Sequence, residues 1–221
     1  MRAYLPNINQ LMRLIFLTII CAAMIAFKYL QLNSSFLMFL GWNIILAWIP
    51  LVALSLLSVK SRKRLQSFFS VILWAVWLLF FPNAPYLITD IIHLPKNAIL
   101  VSSSTLSMNF MAWYDIVLLL LSIWIGILLT FHALYPVHQR ISNYTGSILG
   151  HLFSLGMCLL SSYGVYLGRF PRLNSWNIIN KPLTLYNAVV QSFNLETLRF
   201  VLLFGGLIFI IYNTLYSFER R

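Results

Sequence analysis

The sequence has 221 residues, 61% of them hydrophobic and 9% charged, with a mean hydropathy of +0.85. Soluble domains carry about 25% charged residues, so this composition excludes an aqueous globule. The net charge of +11, from 15 basic and 4 acidic residues, reads on so apolar a chain as arginine and lysine holding loops near anionic lipid headgroups, and no nucleic-acid partner is expected.

A helix crosses the hydrocarbon in roughly 20 residues, and on that length the chain divides into six spans in one membrane domain. The first covers about 14–30, where the stem of Lys28 can snorkel to the interface. Met1-Arg2 ahead of it resembles the start of a signal peptide, but no small-x-small cleavage site follows Lys28, so an uncleaved helix is expected. The second span covers about 36–59, with a kink at Pro50. The third covers about 65–87 and passes Trp74 and Trp77 to reach Pro82 and Pro85. Phe81 and Ala84 precede those prolines and are biased away from helix. The span is therefore expected to stop or break there, with a short helix from about Tyr86, leaving Asp90 and His93 at or beyond the membrane boundary.

The fourth span covers about 111–134, the fifth about 147–168 and the sixth about 198–218. In the fifth, Gly150, Ser154, Cys158, Ser161, Gly164 and Gly168 recur at three or four residues, a small-residue stripe suited to packing within the chain or to a homo-oligomer or partner seam. The connection 170–197 contains Leu183, Tyr186, Val190 and Phe193 at helical spacing, which predicts an interfacial helix. Cys21 and Cys158 lie inside apolar runs and read as buried small residues.

Basic residues of short loops favour both termini on the cytoplasmic side of a bacterial inner or plasma membrane. Nine fall inside, led by the cluster Lys60 to Arg64, against six outside. That topology gathers polar groups at the outer end: Asn83, Asp90, His93, Asp115, Arg169, Asn174 and Asn177, with Asn43, Thr89 and Trp176 in support. His132, His138 and His151 fall on the inner side, spread over two helix ends and a loop.

Asp90 and His93 are three residues apart and share a helix face, with Thr89 placed to orient the histidine. Joined by Asp115, they would form a weak His-plus-two-carboxylate set for a divalent metal, with no other cofactor expected. Without metal, Asp90 would orient His93 as a general base and Arg169 would hold an anion. Asp115 also reads as a helix-start carboxylate, Trp176 as an interfacial anchor, and Arg169 and Arg172 as grips on lipid phosphate, with Arg169 alternatively paired to Asp115 or Asp90. No P-loop, dinucleotide fingerprint, H-E-x-x-H, G-x-S-x-G or C-x-x-C motif occurs, which speaks against a self-powered pump.

The run Phe81 to Leu94, together with Trp113-Tyr114-Asp115, Gly168-Arg169-Phe170, Asn174-Ser175-Trp176-Asn177 and Trp42 to Pro50, resembles the bacterial integral-membrane family called domain of unknown function 1361. The resemblance covers roughly 39–218 and implies a multi-span bacterial membrane protein without an established activity. The chain departs from that pattern at Trp42, where an arginine is expected before Asn43, and at Asn177, where an aspartate often follows the tryptophan. Three functions stay open: a lipid-headgroup or anion binder or enzyme, a transporter or its membrane subunit, and a scaffold.

Overall fold

A computed structural model describes residues 5–32, 37–58, 65–94 and 110–219. The helices, in chain order, are α1 (Ile8–Leu32), α2 (Met38–Ser58), α3 (Leu65–Phe80), α4 (Asn83–Thr89) with a 3-10 turn at Asp90–His93, α5 (Phe110–Thr145), α6 (Ser147–Arg169), α7 (Asn177–Asn180), α8 (Pro182–Gln191) and α9 (Leu195–Glu219). Six segments are long and apolar enough to cross a membrane: Ile8–Leu30, Met38–Ser58, Phe68–His93, Phe110–Thr145, Ser147–Arg169 and Leu195–Glu219. The molecule is a polytopic all-α membrane protein, and large apolar side chains such as Phe68 and Leu203 cover its outside. The cluster Lys60 to Arg64 and the residues Arg2, Lys96, Arg220 and Arg221 lie outside the described residues.

Three expected boundaries move, one of them the start of the first span, at Ile8 rather than near residue 14. The fourth span does not end near residue 134, because α5 continues through Pro136 to Thr145. Ala133, Leu134, Val137 and His138 are all buried there. Tertiary burial holds the helix together past its proline, as neighbours allow in membranes. Trp77 Nε1 also donates to the Ala133 carbonyl at 3.0 Å, one residue from the carbonyl that Pro136 leaves without a helical donor. His138 consequently sits inside a helix rather than in a loop.

Pro82 and Pro85 interrupt the third span without stopping it. The chain turns at Phe81 and Pro82 and restarts as α4 at Asn83, so 68–93 is one broken span. Pro85 cannot donate to the Phe81 carbonyl, and Ala84 N–H takes it at 3.3 Å. The carbonyls of Phe80 and Leu79 accept instead from Asn83 Nδ2 at 2.9 Å and from the Ser175 hydroxyl at 3.2 Å. Side chains thus complete the backbone pairing that a break in hydrocarbon requires.

Glycines decide where α4 lies. A Cβ on Gly126 of α5 would come within 2.6 Å of the Ala84 carbonyl, and one on Gly164 of α6 within 2.5 Å of Pro82. One on Gly168 would press on the Tyr86 ring at 3.1 Å. The missing side chains let α4 nest between α5 and α6. Gly150 faces Ser142 and His138 of α5, while Ser154 and Ser161 are buried. These members of the small-residue stripe are therefore packed within the chain, where their size allows close helix approach.

Candidate functional site

Five of the ten residues singled out from the sequence meet around one ion pair. Arg169, at the last turn of α6, donates from Nη2 to Asp90 Oδ1 at 2.6 Å and to Thr89 Oγ1 at 2.6 Å, and from Nε to the same hydroxyl at 3.1 Å. Its Nη1 lies 3.2 Å from His93 Nε2. The guanidinium also covers the Tyr86 ring, 4.2 Å from its centre. Asn43 of α2 completes the cluster by donating to Asp90 Oδ2 at 3.1 Å. Both carboxylate oxygens of Asp90 are engaged, and its side chain is fully buried.

This geometry revises two expected roles. Thr89 orients Arg169 rather than His93, its own hydroxyl proton going to the Tyr86 carbonyl at 2.7 Å. Since a guanidinium can only donate, His93 accepts at Nε2 and carries its proton on Nδ1. The lone pair that a general base would use is already bound to Arg169. The His93 ring also packs on Phe39, with centroids 4.6 Å apart.

Asp115 does not join this group. It forms an ion pair with Lys28 of α1, both side chains nearly buried. Among the described residues, no three His, Cys, Asp or Glu side chains are placed to hold a metal ion. The Asp90, His93 and Asp115 set is therefore not assembled, because each carboxylate has found a cation of its own. Two further groups expected at the site serve the segment after α6. Asn177 Oδ1 accepts from the Asn174 N–H at 2.5 Å, and Trp176 packs edge-on against Trp42 at 6.3 Å.

Beside the ion pair, sharing Asn43 and Tyr86 with it, is a cavity of about 480 Å³. That volume lies within the roughly 300–1,000 Å³ range of small-molecule sites. Its polar wall consists of Asn43, Asn83, Tyr86, Tyr163, Asn174 and Ser175; apolar residues, among them Leu78 of α3 and Leu160 of α6, line the remainder. Asn83 Nδ2 donates to Ser175 Oγ at 3.1 Å, which fastens the post-α6 segment over the helix break. Leu78 and Leu160 are about half exposed, at 46% and 49%, so the cavity opens between α3 and α6 onto the apolar outside.

A family model for proteins of unknown function, DUF1361, matches residues 42–211, more than half of the chain. The chain belongs to this family. No curated protein and no solved structure matches it. The region shared with DUF1361 holds the Asp90–Arg169 pair and the whole cavity wall, whereas Lys28 and α1 fall outside it. Lys28 and Ser175 were not among the site residues expected for this DUF1361 protein. The lysine had one visible signal, a lone cation late in an apolar run; the serine stands in the Asn174-Ser175-Trp176-Asn177 motif, but its role depends on a carbonyl bared by a break in another helix.

Proposed function

We propose that this protein binds a membrane amphiphile at the α4 end of its bundle, the outer end if the amino terminus is cytoplasmic. The polar end of the ligand sits among Asn43, Asn83 and Asn174, and its apolar part lies between α3 and α6. The observation that carries this reading is the cavity's double character, amides at the helix break and leucines along two lipid-facing helices. Ligand sites are mostly apolar with a few placed polar groups, as here. The leucine wall also favours a binding cleft over a polar path for ions. Leu160→Trp tests the proposal, because a half-exposed leucine can be enlarged without disturbing the core. Native mass spectrometry of the purified protein with added bacterial lipids should show retained lipid in the wild type and a several-fold loss in the variant. Equal retention in both would count against the cavity as the binding place.

A further inference from the structure

We infer that the ligand's polar end is an uncharged, hydroxyl-rich headgroup, of the kind a glycosylated diacylglycerol carries, and not a phosphate. The inference rests on the amphiphile reading above and names its substrate class. Among the described residues, none in the cavity wall is charged. Arg169, the cation expected to hold an anion, is outside the wall. It is neutralised by Asp90, held by Thr89 and His93, and covered on one side by Tyr86. A phosphate seated among these wall residues would lose water with only the exposed Arg172, outside the wall, as a counter-charge, which is unfavourable in a low-dielectric site.

The amides are set to accept. Asn43 directs Nδ2 at a carboxylate and Asn83 directs Nδ2 at the Phe80 carbonyl. Both partners can only accept, so the orientation of each amide is determined. Oδ1 of each is left without a hydrogen bond among the described residues. Two amide oxygens of residues that line one cavity can take donors from the ligand, and hydroxyl groups supply them without a charge to desolvate. The exposed Asn174 has no side-chain bond among the described residues and adds an amide that can both donate and accept. Arg172, exposed and next in sequence to the wall residue Leu173, is the cation an anionic headgroup would use.

The test is competitive lipid retention by native mass spectrometry on the full chain. It compares glucosyl diacylglycerol, plain diacylglycerol, phosphatidylglycerol and phosphatidic acid of matched acyl chains. The wild type should retain the glucosyl lipid about ten-fold over each of the others, the size of one or two neutral hydrogen bonds. Asn174→Ala should reduce that preference several-fold, and Arg172→Gln should leave it unchanged. Preference for either phospholipid, with loss in Arg172→Gln, overturns the headgroup assignment and leaves the amphiphile reading standing. Plain diacylglycerol bound as well as the glucosyl lipid overturns it too. Retention of every lipid no better than by Leu160→Trp defeats both.

Discussion

The two ends of the bundle bury polar groups to opposite effect. Where α5 and α9 meet the start of α6, His138 is fully buried, its Nδ1 2.7 Å from the Tyr212 hydroxyl and its ring stacked on Tyr216 at 4.8 Å. His151 packs edge-on against it at 4.9 Å, and a methyl group at Gly150 would collide with Ser142. That end is filled. At the α4 end the polar groups are as deeply placed, yet a broken helix and short amide and hydroxyl side chains leave about 480 Å³ beside them. Buried polarity alone does not make a site; the space comes from the break at Phe81-Pro82 and from the glycines that let α4 nest between its neighbours.

The largest difference between the ends should come from charge. Asp90→Ala leaves Arg169 largely buried without its counter-charge and should cost about 3–5 kcal/mol. Thermal melting in detergent measures the loss, and adding Arg169→Met should recover much of it; no recovery would mean that the cluster holds the fold through more than charge balance. Gly126→Val follows. It drives a side chain into α4 and should cost up to about 3 kcal/mol, with lipid retention falling together with the melting temperature.

Tyr212→Phe probes the filled end. It removes the partner of His138 Nδ1 and should cost about 1–2 kcal/mol, but the pocket beside Tyr212 holds only about 10 Å³, so lipid retention should stay at the wild-type level. A change in retention would couple the two ends and remove the contrast between them. Arg199→Ala is the smallest change. Its pair with Glu196 is 64% and 78% exposed, and its loss should shift stability by less than about 0.5 kcal/mol.

Much of the α4 end was legible in the sequence. Apolar run lengths divide the chain into six spans, and the Pro-Asn-Ala-Pro break gives the address of the polar groups, because both signals are local and periodic. The Asp90–Arg169 pair was among the open alternatives, since two opposite charges at the same end of neighbouring spans have few other partners. The partner of Asp115 was not legible. It depends on how α1 is rotated against α5, and no short-range pattern records that rotation. The run of α5 past Pro136 was hidden for a similar reason, because burial against α6 and α9 overrides the local penalty of a proline.

By itself, then, the sequence determined the solvent of this protein, its helical class, the number of its spans and the place where one of them breaks. Those properties follow from composition and spacing, which act within each segment. Only the tertiary structure decided which cation each carboxylate meets, that Arg169 is held inside rather than offered to a ligand, and that the break borders a cavity walled by amides and leucines. Charge pairing and empty space are relations between segments, fixed by how the helices turn and how closely their glycines let them approach.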